Sequence, residues 1–239
     1  MTMAAIEAVL FDKDGTLIDF QGTWGPTFHV LMSELSGGDM AIAERLAEAA
    51  GFDLPARRFA PDSVLVAGSN DDIVDAFAEI LGLPDPRALA DDINARIGDM
   101  SLPYLSPFDD LIPMLDRLAV HGLVLGVATN DSEASARAQL AAMGVSDRFS
   151  AIIGFDSGHG AKPGPGMVTG FCEALALDPA SVVMVGDSVH DMHAGRAAGA
   201  RTLAVTTGTV GAEVLAPHAD HVATSLSEAL AWIEAQRAG

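Results

Sequence analysis

Basic residues are scarce in this sequence of 239 residues. Thirteen lysines and arginines stand against 33 aspartates and glutamates, which gives a formal net charge of −20. A field of this sign repels DNA, RNA and anionic lipid surfaces, so we expect no nucleic-acid partner and no membrane association. It also disfavours a small anionic ligand, unless local cations or a metal ion offset it at the binding site.

Cysteine and long apolar runs are lacking as well. Cys172 is the single cysteine, which excludes an intrachain disulfide framework and leaves no cysteine spacing typical of a metal site. No uncharged apolar run reaches the roughly 18 residues of a membrane span, and no basic region precedes the first apolar residues. We therefore expect a soluble, cytoplasmic protein, and 49% hydrophobic residues indicate a packed core.

From about residue 106 onward, short apolar runs alternate with helical patterns. The runs include LVLGVAT at 123–129, SVVMVGD at 181–187 and RTLAVTTG at 201–208. Short apolar strands separated by helices of about three turns are typical of a parallel sheet that is covered on both faces. The sequence therefore predicts an α/β fold with a doubly wound parallel sheet.

The first apolar run, IEAVLF at 6–11, is followed by a different pattern. Residues 21–103 carry mostly helix signals, interrupted by glycine and proline. We predict two domains: a core formed by residues 1–20 and 104–239, and an all-helical insert of residues 21–103.

Two acids separated by a single residue follow the first run, in VLFDKDGTLIDF. In a strand, side chains at i and i+2 share a face, so Asp12 and Asp14 would point one way and Lys13 the other. A type I′ hairpin is the alternative, since Asp-Gly between two apolar runs is a signal for that turn. The parallel pattern downstream favours a buried strand that delivers both acids to one edge of the sheet, with Gly15 turning the chain.

Polar residues follow other predicted strands too. Thr129 and Asn130 end LVLGVATN, and Asp187 ends SVVMVGD, with Asp191 four residues later. In open α/β sheets, ligands bind at the carboxyl ends of the strands, so these residues could meet there. Each one alone has an ordinary explanation, such as helix capping by Thr129 or by the neighbouring Asp131, or a favourable helix-dipole contact for Asp191.

Taken together, the same residues favour a site. Carboxylates gathered at one sheet edge would repel each other without a cation, and oxygen ligands of this kind suit Mg²⁺. Lys162, which with Lys13 makes up all the lysine of the chain, stands in the loop GAKPGPG and adds a positive charge. Oxygen ligands, a lysine and a hydroxyl are suited to holding a phosphoryl group.

Four of these segments resemble known motifs. FDKDGTL, ATN, the isolated Lys162 and GDSVHD are similar, in order and approximate spacing, to the four motifs of the haloacid dehalogenase (HAD) superfamily of hydrolases. The resemblance covers the whole chain, with residues 21–103 matching a helical cap domain. It implies a Rossmann-like core and a phosphoglycolate phosphatase-like enzyme that hydrolyses a small phosphorylated metabolite with Mg²⁺ as cofactor.

The resemblance also implies roles for the acids. Asp12 would attack phosphorus and form an aspartyl phosphate, and Asp14 would protonate the leaving alkoxide and then activate water. Asp12, the backbone carbonyl of Asp14 and Asp187 would bind the metal. Asp191 would support it through water or by orienting Lys162.

The remaining candidates contact phosphate or substrate. Thr129 would hydrogen-bond a phosphoryl oxygen. Lys162 would be the fourth catalytic residue, with Asp12, Asp14 and Thr129. The cap would close over the substrate, and arginines such as Arg57 could bind a substrate carboxylate. The substrate-binding candidates are Gly15, Asn130, Arg57, Ser69 and Asn70.

Other members of the superfamily catalyse other reactions. A dehalogenase needs neither a general acid nor a metal, so the presence of Asp14, Asp187 and Asp191 favours phosphoryl transfer. A phosphonatase would use a cap lysine, and residues 21–103 contain none. Phosphoglycolate is the favoured substrate, although Phe20 stands where such phosphatases usually have serine. A phosphomutase similar to β-phosphoglucomutase and a non-catalytic binding protein remain the alternatives.

Overall fold

A computed structural model describes residues 4–60, 63, 65 and 73–238 of the chain. The chain forms two compact units, one of Met1–Asp19 with Pro107–Gly239 and the other of Phe20–Ser106. The junctions therefore follow residues 19 and 106, where the sequence predicted them after residues 20 and 103.

The described part of the chain contains the following strands and helices. The strands are β1 (Ala8–Phe11), β2 (Phe52–Asp53), β3 (Arg58–Phe59), β4 (Val124–Ala128), β5 (Ala151–Ile153), β6 (Val182–Gly186), β7 (Arg201–Val205) and β8 (His221–Ala223). The helices are α1 (Phe20–Leu35), α2 (Met40–Ala49), α3 (Val74–Leu81), α4 (Pro86–Ser101), α5 (Leu111–Val120), α6 (Glu133–Ala142), α7 (Gly166–Leu175), α8 (Val189–Ala198), α9 (Ala212–Leu215) and α10 (Leu226–Ala238). None of these helices is both long and apolar enough to cross a membrane.

A six-stranded sheet organises the first unit. Its strand order is β5-β4-β1-β6-β7-β8, and every neighbouring pair is parallel. The order runs outward in both directions from β1, so the first strand of the chain lies between β4 and β6. The predicted doubly wound parallel sheet is confirmed.

Alternate residues of β1 enter two hydrophobic cores. Val9 and Phe11 belong to a core shared with α5, α6 and α10, whereas Ala8 and Leu10 belong to one shared with α7 and α8. All four residues are buried, as expected for a central strand covered on both faces. This burial fixes the end of β1 within the unit.

The second unit is built from α1 to α4. Their apolar faces share one core, which includes Phe28, Phe77 and Ile93. The antiparallel ribbon of β2 and β3 also belongs to this unit. The prediction of an all-helical insert omitted this ribbon, because strands of two residues are too short to show an alternating pattern.

Candidate active site

Three predicted site residues directly follow the central strands. Asp12 comes after the last residue of β1, Thr129 after that of β4, and Asp187 after that of β6. Because β1 pairs in parallel with both neighbours, these residues lie side by side at one edge of the sheet. The amide of Asp12 donates to the carbonyl of Val185 at 2.8 Å, and that of Thr129 donates to the carbonyl of Ile153 at 2.9 Å. The sheet ladder therefore extends into the site and fixes its backbone.

Lys162 joins two carboxylates at this edge. Its Nζ donates to Oδ1 of Asp12 and to Oδ1 of Asp191, both at 2.6 Å. None of the three side chains is more than 9% exposed. Carboxylate oxygens of Asp12, Asp187 and Asp191 all lie within 4.8 Å of one another. The structure thus brings together four residues that the sequence separates by up to 179 positions, from 12 to 191.

Burial and neighbouring charges shift the pKa values of these groups. It raises the pKa of Asp12 to about 7; Lys162 opposes this rise, and the charges of Asp191 and Asp14 add to it. Burial also raises the pKa of Asp187 well above its ordinary value, and the charges of Asp12 and Asp191 reinforce the effect. Burial opposes the charge of the Lys162 ammonium, but its two carboxylate partners outweigh it, and the lysine pKa is raised. A further cation at this edge would favour the ionised acids.

Asp191 also lies in the first turn of helix α8. Ser188 is the N-cap of α8, and its Oγ accepts from the amide of Asp191 at 3.3 Å. In return, Oδ2 of Asp191 accepts from the amide of Ser188 at 3.0 Å and from its hydroxyl at 2.6 Å, which completes a capping box. Asp191 therefore has a structural role in the first turn of α8, and the capping box fixes the carboxylate whose other oxygen binds Lys162.

Asn130 binds the main chain of Lys162. Its Nδ2 donates to the carbonyl of Lys162 at 3.0 Å, and its Oδ1 accepts from the Lys162 amide at 2.9 Å. The hydroxyl of Thr129, itself buried, accepts from the amide of Asp131 at 3.1 Å. These bonds hold the two loops together and so orient the lysine. The expected phosphate contacts of Thr129 and Asn130 stay predictions.

Two glycines leave room for the carboxylate of Asp187. A β-carbon at Gly15 would lie 2.3 Å from Oδ2 of Asp187, and one at Gly208 would lie 1.6 Å from the same oxygen. Gly15 also has φ of 82°, in the left-handed region that favours glycine, and its carbonyl accepts from the hydroxyl of Thr207 at 2.6 Å. The sequence reasoning missed Thr207 and Gly208. Their position just after an apolar run, RTLAVTTG, was the available signal.

Lys13 contacts one of the acids from which it was expected to point away. Its Nζ lies 2.7 Å from Oδ2 of Asp14 and 3.1 Å from Oδ2 of Asp131. The expected separation from Asp12 holds, since Lys13 bonds Gln139 of α6, the helix that shares a core with Val9 and Phe11. The separation from Asp14 fails because β1 ends at Phe11 and the chain then turns, with the amide of Leu17 bonded to the carbonyl of Lys13 at 2.8 Å. Beyond the strand, the alternation of faces no longer separates neighbouring side chains.

Burial and ion pairing also shape this second charged group. Burial opposes the charge of the Lys13 ammonium, but Asp14 and Asp131 outweigh it and raise the lysine pKa. Burial raises the pKa of Asp131, and Lys13 opposes that rise. Asp131, considered from the sequence only as a helix cap, is thus a partner of Lys13, and Ser132 caps α6 instead.

Known proteins match this chain over most of its length. A model of the haloacid dehalogenase-like hydrolases matches residues 6–199. The chain belongs to this family. An N-acetylmuramic acid 6-phosphate phosphatase of Pseudomonas aeruginosa is 27% identical, over 96% of this chain and 99% of that protein. A phosphoglycolate phosphatase of Rhodospirillum rubrum is 31% identical, over 84% of this chain and 80% of that protein.

Structural comparison gives the same fold. The crystal structure described as a predicted phosphoglycolate phosphatase from Haemophilus somnus has a TM-score of 0.73 at 19% identity, and the match covers 96% of this chain and 99% of that one. The predicted membership of the haloacid dehalogenase-like hydrolases and the predicted phosphatase enzyme are confirmed.

Phosphatases of the haloacid dehalogenase family generally use a metal ion, and the residues of this chain fit one. Asp12, Asp187 and Asp191 are buried together with a single lysine, so the group carries 1 − 3 = −2 when all of its acids are ionised. Carboxylate oxygens are the donors that hard divalent cations prefer. A divalent ion would balance this charge.

The predicted substrate-binding residues of the second unit do not all fall on described positions. Ser69 and Asn70 lie outside the described residues. Arg57 is exposed between β2 and β3, and its φ of 54° is unusual for a residue other than glycine. A β-carbon at Gly25 would lie 2.1 Å from the carbonyl oxygen of Arg57, so this glycine permits the close approach of α1 to the turn.

Proposed function

We propose that this phosphatase hydrolyses a small phosphomonoester through an aspartyl phosphate on Asp12, with Mg²⁺ as its metal. The observation that supports this best is the bridge formed by Lys162, whose Nζ lies 2.6 Å from both Asp12 and Asp191. It holds a carboxylate at the end of the central strand, where α/β sheets bind ligands. A carboxylate held there is suited to nucleophilic attack on phosphorus.

The first step transfers the phosphoryl group to the protein. An oxygen of Asp12 attacks phosphorus, and the bond between phosphorus and the alcohol oxygen breaks. Asp14 donates its proton to the departing oxygen, so that the product leaves as a neutral alcohol group. The protein then carries an acyl phosphate on Asp12 and a carboxylate on Asp14.

The second step returns both residues to their starting states. A water molecule attacks the same phosphorus while Asp14 takes a proton from it. The bond between phosphorus and the Asp12 oxygen breaks and releases inorganic phosphate. Lys162 remains beside Asp12 in both steps, and its permanent charge stabilises the negative charge that spreads over the phosphoryl oxygens.

Asp12, the backbone carbonyl of Asp14 and Asp187 would hold Mg²⁺. When bound, the ion supplies positive charge against the phosphoryl oxygens and the attacking carboxylate. Asp191 would act through Lys162, because its two oxygens already accept from Lys162 and Ser188. Gly15 and Gly208 favour this assignment, since they leave the space that the carboxylate of Asp187 occupies.

For the substrate, we propose a small phosphomonoester that also carries a carboxylate, with phosphoglycolate as the first choice. The phosphoglycolate phosphatase of Rhodospirillum rubrum supports this choice. N-acetylmuramic acid 6-phosphate, the compound in the name of the Pseudomonas aeruginosa relative, also carries a carboxylate. We further propose that Arg57 contacts the carboxylate, because its left-handed backbone is the kind of strain that clusters at functional residues.

Release of inorganic phosphate from a panel of phosphomonoesters tests the proposed function. The panel includes phosphoglycolate, N-acetylmuramic acid 6-phosphate and simple sugar phosphates, each with Mg²⁺ or with EDTA. We expect release that requires Mg²⁺ and disappears in Asp12→Asn. Asp109→Asn is the matched control, since Asp109 is an exposed acid of the same unit.

Two other results would have definite meanings. No release from any ester by folded wild-type protein would contradict the proposed function. Conversion of a sugar phosphate into its isomer without net release would instead identify a phosphomutase. Loss of the preference for carboxylate-bearing esters in Arg57→Gln, with little change for simple sugar phosphates, would support the proposed role of Arg57.

A further inference from the structure

Lys13 takes no part in the mechanism proposed above, yet it is completely buried beside Asp14, the acid/base of that mechanism. Its Nζ contacts three oxygens: Oδ2 of Asp14 at 2.7 Å, Oδ2 of Asp131 at 3.1 Å and Oε1 of Gln139 at 2.5 Å. A buried ammonium requires hydrogen-bond acceptors and opposite charge around it. The three contacts therefore fix the position of the lysine head group.

The partners of Lys13 on the far side from the site are themselves fixed. Oδ1 of Asp131 accepts from the amide of Ser132 at 2.7 Å, and Oδ2 accepts from the hydroxyl of Ser135 at 2.7 Å. Gln139 is completely buried on the same helix, α6. Gln139 within α6 and Asp131 just before its N-cap therefore anchor Lys13, which in turn contacts the acid/base carboxyl group of the proposed mechanism.

Asp14 needs such an anchor more than Asp12 does. Asp12 extends the sheet ladder, but Asp14 lies in the turn after β1, where the amide of Gly15 bonds the carbonyl of Ile18 at 2.8 Å. The side chain of Asp14 is 17% exposed, whereas that of Lys13 is fully buried. Proton transfer requires the carboxylate within about 2.6–3.2 Å of the reacting oxygen, so its position matters for the rate.

A purely structural ion cluster is the alternative explanation. Buried charge groups of this kind cost desolvation energy and often add little net stability, so stability alone gives a weak reason for this lysine. The arrangement is also asymmetric: Asp131 accepts two further bonds from Ser132 and Ser135 at the start of α6. The side chain of Asp14 is instead 17% exposed, and its charge acts on Asp12, the proposed nucleophile. This asymmetry favours a role for the lysine in the reaction.

We infer that Lys13 is a positioning residue, whose ammonium, anchored by Asp131 and Gln139, holds Oδ2 of Asp14 so that the other oxygen of this carboxyl group, Oδ1, transfers the proton. The inference rests on the proposed function, because it concerns the acid/base of that reaction. The inference goes beyond the proposed function by assigning a role to a side chain that need not contact the substrate or the metal.

The leaving group provides the test. An alkyl phosphomonoester needs a proton on its departing oxygen, whereas 4-nitrophenyl phosphate has a leaving group that departs without one. The kinetic constant kcat/KM reports the steps up to transfer of the phosphoryl group, so it isolates this proton. We expect Lys13→Met to lower kcat/KM about 100-fold for the alkyl ester and less than about 10-fold for the aryl ester.

Two further variants separate positioning from folding. Gln139→Met removes an anchor without removing a charge, and we expect the same selective loss to a smaller degree; it carries the test if Lys13→Met does not fold. In an Asp14→Asn background, Lys13→Met should cause little further loss with the alkyl ester, because the group that it positions is already gone.

Each outcome has a separate meaning. An equal loss for the two esters in Lys13→Met and in Gln139→Met, with wild type active on both, would overturn the inference and leave the proposed function standing. A full additional loss from Lys13→Met in the Asp14→Asn background would also overturn it. No turnover of either ester by wild type would overturn the proposed function and the inference with it.

Discussion

Replacing Asp12, the proposed nucleophile, should stabilise the metal-free protein, although we expect the same change to abolish activity. Burial raises the pKa of Asp12 from 3.8 to about 7. Between these two pH values the acid is protonated in the folded chain and ionised in the unfolded chain. Unfolding then releases a proton, so stability falls as the pH rises, and the whole loss is present above pH 7. Asp12→Asn cannot ionise and escapes this loss.

The size of the effect follows from the two pKa values. A difference of one pKa unit corresponds to about 1.4 kcal/mol, so the change from 3.8 to about 7 costs about 4 kcal/mol above pH 7. At pH 5 only part of that range has been crossed, and the cost is about 2 kcal/mol. In EDTA, Asp12→Asn should therefore exceed wild type by about 2 kcal/mol at pH 5 and by about 4 kcal/mol at pH 8.

Urea unfolding in EDTA at the two pH values measures this difference. The control is again Asp109→Asn, an exposed acid whose replacement should leave the pH dependence of stability as in wild type. Adding Mg²⁺ at pH 8 should reverse the order, since only wild type keeps the full set of carboxylates. A difference between Asp12→Asn and wild type that does not grow from pH 5 to pH 8 would refute the reasoning.

Two further predictions concern the support of the carboxylates. Gly208→Ala should force Asp187 to move, because the new β-carbon would lie 1.6 Å from its Oδ2. The Mg²⁺ concentration for half-maximal activity should therefore rise about 10-fold or more. An unchanged Mg²⁺ requirement would count against Asp187 as a ligand. Ser188→Ala removes the N-cap of α8 and a 2.6 Å bond to Asp191. It should lower the free energy of unfolding by about 1 kcal/mol in urea titrations, whereas stability equal to wild type would show that the capping box contributes little.

Much of the site could be predicted because it depends on the ends of strands. Asp12, Thr129 and Asp187 each follow an apolar run, and parallel pairing places the ends of such runs at one edge of the sheet. Lys162 stood out because lysine is so rare in this chain. The bond between Lys162 and Asp12 joins positions 150 residues apart, so no local pattern of the sequence could indicate it.

What the sequence did not reveal depends on turns and tertiary contacts. The contact of Lys13 with Asp14 arises in the turn after β1, where the side-chain alternation of a strand no longer holds. Its contact with Gln139 spans 126 residues and involves a glutamine that looks like any other polar residue of a helix. Gly208 matters only because it lies against the carboxylate of Asp187. Such close approaches follow from packing, which a single sequence does not encode in a local pattern.

Detection of the covalent intermediate tests the central claim most directly. Wild-type protein turning over 4-nitrophenyl phosphate with Mg²⁺ would be quenched rapidly in acid, digested and analysed by mass spectrometry. With this ester Asp14→Asn should accumulate the intermediate, because the leaving group needs no proton whereas the attacking water still needs a base. The mechanism predicts one phosphoryl group on the peptide that contains Asp12, and on that residue. Turnover with no phosphoryl group on the protein, or with the group on another residue, would contradict it.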